Sequence, residues 1–232
     1  MSLWTALRKK FLRKKIEKRP LPPHIQDILR APPPSLDVPI RAVRYVVFDT
    51  ETTGLEKEAE LVAIGAMGVT EGRAVLSDIF YELIQPRAHI SATSIFVHGI
   101  TPSMLKDRPK VDEILLKFLR FCGQNILVGY HAGFDLMFIN REMKDFFGIR
   151  LPNLTLDVLK LFLFVKRPYY TLEPENEDLS LDAVAKELGI PVFDRHHVIG
   201  DVLGTAMMFQ KLLGGMEDKG MKLKDLVKIA KI

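Results

Sequence analysis

Cysteine is nearly absent from the 232 residues, with Cys122 standing alone. A single thiol excludes an internal disulfide framework and any all-cysteine zinc site, and it suits a reducing, cytoplasmic setting. Long apolar runs are missing as well: no stretch approaches the ~20 residues a membrane-spanning helix requires. Net charge is scarcer than the formal +4 suggests. Residues 1–19 hold eight of the 33 Lys and Arg and one of the 29 acids, which leaves 25 basic and 28 acidic side chains in the body. The body is thus slightly negative, and the overall basicity is no argument that it binds nucleic acid. No internal repeat is visible. What is present is enough apolar material, 47% of residues, for one buried core.

The basic excess is patterned. Leu3, Leu7, Phe11, Leu12 and Ile16 fall at helical spacing among Arg8, Lys9, Lys10, Arg13, Lys14 and Lys15, with Trp4 on the apolar side. Residues 1–19 therefore read as a basic amphipathic helix rather than a signal peptide, because the apolar run is short and the charges follow it. Such a helix suits peripheral attachment to an anionic membrane surface, contact with nucleic-acid phosphates, or packing on its own domain or a partner. Prolines 20, 22, 23, 32, 33, 34 and 39 then mark residues 20–40 as an extended linker with a short helical turn near His24–Leu29.

The body begins near Arg41. Extended segments are expected at residues 44–49, 60–69 and 73–84, the last two joined across Glu71-Gly72 as a hairpin. Leu105 to Phe121 carries a helical pattern, and Asn125–Tyr130 reads as a buried strand. Leu136, Ile139, Met143 and Phe147 describe a helix, as do Val202, Ala206, Phe209 and Leu213. Hairpin strands followed by alternating strands and helices predict an α/β fold, a mixed sheet flanked by helices. Residues 215–232 read as a short lysine-bearing helical tail.

The richest segment is Tyr45 to Leu55. Val46, Val47 and Phe48 predict a core strand ending in a glycine turn, and Asp49 and Glu51, two apart, point to the same face. Like charges held that close repel, and burial raises the cost, which a shared divalent cation would relieve. An Asp and a Glu merely flanking a turn is the plainer alternative. Asp135, at the start of one helix, and Asp201, in the first turns of another, are each explained equally well by the helix dipole. Together, four acids at a strand end and two helix starts suggest hard divalent ions, which prefer oxygen ligands. Two such ions ~4 Å apart can clamp the attacking and leaving oxygens of a phosphoryl displacement.

The strings FDTETTGL (48–55), VHGIT (97–101), VGYHAGFDLMFIN (128–140), LSLDAVAKELGI (179–190) and HHVIGDVLGTAMMF (196–209) resemble, in order and spacing, the DEDDh family of 3′-to-5′ exonucleases. That DnaQ-like family includes the epsilon proofreading subunit of bacterial DNA polymerase III. The resemblance spans residues 41–214 and implies a ribonuclease-H-like fold with a central mixed five-stranded sheet. It implies Asp49, Glu51, Asp135 and Asp201 as ligands of two Mg²⁺ ions, with Mn²⁺ able to substitute. It implies His196, five residues before Asp201, as general base, with His197 as the backup. Backbone or side-chain groups of Thr52 and Thr53, the wedge residue Leu55 and His98 are implied to hold the terminal nucleotide. One departure is His131, which stands where the family usually has the asparagine that steadies the substrate backbone. Asp157 and Asp182 fall in segments the family uses, and are read as packing or capping acids.

The implied activity is removal of nucleoside 5′-monophosphates from single-stranded or frayed 3′ ends, with DNA favoured because the first motif and His98-Gly-Ile-Thr101 look most like proofreading and repair members. An exoribonuclease is the alternative, since contacts to the 2′-hydroxyl decide that choice. A non-catalytic end-binding module would be expected to have lost a carboxylate, and none is lost. A polymerase partner is not evident.

Overall fold

The computed structural model describes residues 20–166, 178–217 and 219–232. The N-terminal amphipathic helix expected at 1–19 lies outside them. The frame is a five-stranded sheet ordered β3-β2-β1-β4-β5, built from β1 (Tyr45–Thr52), β2 (Leu61–Thr70), β3 (Arg73–Leu83), β4 (Ile126–Gly129) and β5 (Thr155–Asp157). The first three strands are antiparallel, whereas β1, β4 and β5 run parallel. The β2–β3 turn has left-handed backbone at both central residues, Glu71 (φ 54°) and Gly72 (φ 70°), which matches the twist a two-residue hairpin demands.

Parallel strands need crossovers, and helices supply them. Between β3 and β4 lie α2 (Ala92–His98), α3 (Pro102–Leu105) and α4 (Val111–Cys122), and between β4 and β5 lies α5 (Gly133–Phe147). After β5 follow α6 (Val158–Lys166), α7 (Leu181–Glu187), α8 (Val198–Glu217) and α9 (Leu223–Ala230). The alternation of β1 sorts these helices between two faces. Tyr45 and Val47 join a core with α6, α7, α8 and α9, while Val46 and Phe48 join one with α4 and α5. No helix among the described residues is long and apolar enough to cross a membrane.

Three features differ from the sequence pattern. The helix expected from Leu105 begins at Val111, because Asp107 takes a left-handed conformation (φ 62°) and Pro109 follows it. Strand β5 is too short, at three residues, to display an alternation. The proline-rich stretch, expected as an extended linker, is docked on the body. Its helix α1 (Pro23–Arg30) buries Ile25 completely against the α4–α5 side. Further on, the Val38 and Leu36 carbonyls accept hydrogen bonds from the Leu223 and Lys224 amides at 3.0 and 2.8 Å. Prolines pre-set the extended backbone such pairing uses, and the carbonyls remain free to accept. Likewise the C-terminal segment is part of the core, with Leu223, Leu226 and Ala230 fully buried.

Candidate active site

Asp49 and Glu51 project from the C-terminal half of β1 on the face covered by α8. What lets α8 come close is Gly65, paired opposite Asp49 on β2. A Cβ on Gly65 would lie 2.9 Å from Val198, the first residue of α8, so only a bare backbone admits the helix there. One turn on, Asp201 reaches the acids. Asp49, Glu51 and Asp201 each offer a carboxylate oxygen within 4.8 Å of the others.

Asp135 arrives from the opposite face, on the first turn of α5. Thr50, whose side chain alternates away from Asp49 and Glu51, donates to one Asp135 oxygen from its amide (3.0 Å) and its hydroxyl (2.5 Å). Asp135 lies outside the tight trio but beside Asp49, where its charge is the largest carboxylate contribution to that residue's perturbation. The four sequence-expected acids are therefore gathered at the end of β1, with helices from both faces converging there.

Crowding shows in the titration of these groups. Burial first, then repulsion from Asp135, Glu51 and Asp201, holds Asp49 well above the usual carboxylate range. Burial and the charges of Asp201 and Asp135 push Glu51 up to about 8. Asp135 is raised by burial, against the two hydrogen bonds from Thr50. An all-oxygen donor set whose ionised forms repel one another this strongly fits hard divalent cations.

The raised Glu51 has a measurable consequence for the metal-free protein. The folded state keeps a proton on Glu51 that the unfolded chain releases near pH 4.5. The folded state thus binds more protons, and this contribution to stability is complete below pH 4.5 and lost as pH rises through about 8. With chelator present, Tm should fall between pH 5.5 and pH 8.5 by roughly 5 °C or more, since each kcal/mol moves Tm by about 2–4 °C in a chain of this size. A flat profile would contradict the crowding.

One cation already faces the cluster. Arg195 donates from Nη1 to Asp201 Oδ1, and from Nε to Asp182 Oδ1 at 2.8 Å. Its charge opposes the upward shifts of Asp49 and Glu51. His196, the expected base, is exposed on the same loop with left-handed backbone (φ 62°). His197 contributes its carbonyl to the first helical hydrogen bond of α8, from the Asp201 amide, and its ring lies 5.6 Å from that of Tyr81, opposite Gly65 on β3. Arg195, rather than either histidine, contacts the acids.

Among the expected nucleotide-holding residues, only Leu55 presents its side chain outward, at 82% exposure. Thr52, Thr53 and His98 are buried and build the loop that carries it. Thr52 donates its hydroxyl to the Gly54 carbonyl, and the Thr53 hydroxyl accepts from the Glu60 amide. His98 Nδ1 accepts from the Ile100 amide at 3.0 Å, which places the proton on Nε2, 3.3 Å from the Thr52 carbonyl. Both ring nitrogens have partners within the loop, so His98 helps to position it.

His131 is exposed with left-handed backbone (φ 50°) at the turn from β4 into α5. It lines an open groove of about 590 Å³ with Phe134, Asp157 and Lys160. Asp157 caps α6 by accepting from the Leu159 amide at 2.9 Å, and Asp182 is the outer anchor of Arg195. Neither joins the acid trio. The missed residues are Thr50 and Arg195. Period-two alternation along β1 could have flagged Thr50 as facing α5; a lone loop arginine gave no signal.

With this geometry in view, comparison with known proteins is decisive. A family model described as "Exonuclease" matches residues 46–209, the span from β1 to α8. The chain belongs to this exonuclease family. It carries a DnaQ-like 3′–5′ exonuclease domain on a ribonuclease-H-like fold. A DNA polymerase III subunit epsilon-like protein of Rhodobacter capsulatus is 35% identical over 189 residues, 80% of this chain but 26% of that protein. A PolC-type DNA polymerase III of Clostridium perfringens is 34% identical over 163 residues, 70% of this chain and 11% of that protein. The exonuclease domain described here therefore spans about a quarter or less of those relatives. Exonuclease X, solved in complex with 5′ overhanging duplex DNA, shares the fold with a TM-score of 0.58 at 22% identity, covering 80% of this chain and 98% of that one.

Proposed function

We propose that the chain trims DNA from its 3′ end, releasing nucleoside 5′-monophosphates, with two divalent cations, Mg²⁺ foremost and Mn²⁺ as substitute, held by Asp49, Glu51, Asp135 and Asp201. The observation that carries this is the convergence of three carboxylates within 4.8 Å of one another, beside Asp135, in an exonuclease domain. Cations held there would supply Lewis-acid neutralisation of the anionic phosphodiester and make an attacking water more acidic.

The chain's own groups divide the remaining work. Asp49 and Glu51, on a paired strand, fix two donors rigidly, while Asp135 and Asp201 close in from opposite faces. Thr50 holds Asp135 in one orientation through its paired hydrogen bonds. An imidazole nitrogen of His196 takes the proton from the attacking water, as a positioned general base does. Leu55, exposed on the loop that Thr52, Thr53 and His98 brace, packs against the terminal base. The DNA held by Exonuclease X supports DNA as the substrate here.

The test is a panel of end-labelled oligomers, single-stranded, duplex and 3′-mismatched, as DNA and as matched RNA, compared by kcat/KM with Mg²⁺ or Mn²⁺. A ladder of shortened DNA products is expected. Folded protein that cleaves nothing with any divalent cation would overturn the proposal, and faster removal from RNA would replace DNA by RNA as the substrate.

A further inference from the structure

We propose that Arg195 is the resident counter-cation of the acid cluster and competes with divalent metal for Asp201, so that metal binding must displace it. This rests on the metal-dependent reading above. The guanidinium sits at the boundary between two acids of different kinds. Nη1 is bound to Asp201, one of the three clustered carboxylates, whereas Nε is bound at 2.8 Å to Asp182, exposed on α7 and outside the cluster. An arginine keeps its charge at any working pH, so the contact is not released by its own deprotonation.

The contact stabilises the cluster only while no metal is there. Asp49, Glu51, Asp135 and Asp201 together carry negative charge that Arg195 partly offsets. Cations placed among the same carboxylates would meet the guanidinium as a like charge and claim the Asp201 oxygen it now occupies. Asp182 gives the side chain somewhere to remain, because Nε stays tethered while Nη1 lets go. The loop that carries Arg195 is fixed closely enough for the exchange to be local. A side chain at Gly200 would collide with the Phe193 and Asp194 carbonyls, so this loop rests directly on the first turn of α8. An arginine that merely braced Asp201 in ligand geometry would have the opposite effect, strengthening metal binding.

That difference in sign is the test. Mn²⁺ titrated calorimetrically into the protein without nucleic acid should bind R195Q roughly tenfold more tightly than wild type, within the range usual for coupled sites. The same variant should melt at a lower temperature than wild type in chelator, since it has lost its internal counter-charge. R195K, which keeps the charge, should bind Mn²⁺ less tightly than R195Q. Equal or weaker Mn²⁺ binding by R195Q overturns the proposal. Should R195Q fail to fold, nuclear magnetic resonance of the wild-type arginine Nε–H groups decides: the Arg195 signal should move in step with Mg²⁺ saturation, and a signal unchanged at saturation overturns the exchange. Wild-type protein that binds no divalent cation would sink the metal-dependent reading itself, whereas metal binding indifferent to Arg195 sinks only the competition.

Discussion

Asp49→Asn should leave the protein folded, more stable than wild type in chelator, and inert as a nuclease. The two effects have one origin. Asp49 is half-buried and repelled by Asp135, Glu51 and Asp201. An amide of the same shape removes that repulsion from a site where Arg195 offsets only part of it, so Tm in chelator rises. The same change deletes a donor from the trio whose oxygens lie within 4.8 Å. Loss of a single preorganised charge-stabilising group typically costs about 10²–10³ in rate, and here a cation's contribution is weakened as well, so kcat/KM should fall by at least roughly 10³-fold. Added Mg²⁺, which should raise the Tm of wild type, should scarcely move that of the variant. Retention of activity within tenfold of wild type would remove Asp49 from the chemistry.

His196→Ala should lower kcat by roughly 10²–10⁴-fold, the usual contribution of a positioned base, with KM little changed. The structure makes this a demanding expectation, because the ring is exposed and its neighbour Arg195 holds the contact with Asp201. His196 holds none of the clustered acids, so the variant should lose the chemical step while Mn²⁺ binding stays near the wild-type value. His197→Ala is the control. The His197 ring lies against Tyr81, and its removal should cost a little stability and little of kcat. If the His197 variant loses the rate and the His196 variant keeps it, the two roles exchange.

Asp49 and Glu51 were legible because a strand repeats every two residues, so a shared face follows from the numbering alone. Asp135 and Asp201 were not legible that way. Each sits where any helix favours an acid, and only the family resemblance joined them to the pair on β1. Thr52, Thr53 and His98 have a structural part that the motif alone did not reveal. Their positions match the motif, yet burial and internal hydrogen bonds commit them to shaping the loop under Leu55. Arg195 was invisible because a charged loop residue is ordinarily solvated, and its partners lie 13 and 6 residues away on two different helices. The proline-rich stretch misled for a related reason: composition describes a backbone's stiffness, and says nothing of the Leu223 and Lys224 amides waiting to pair with it.

The acids come from both sides of the sheet, Asp135 with the layer containing α4 and α5, Asp201 with the layer containing α6 to α9. Neither layer alone assembles the quartet. A half-built chain, with one layer still open, holds only part of the acid set and so has no complete site for divalent cations.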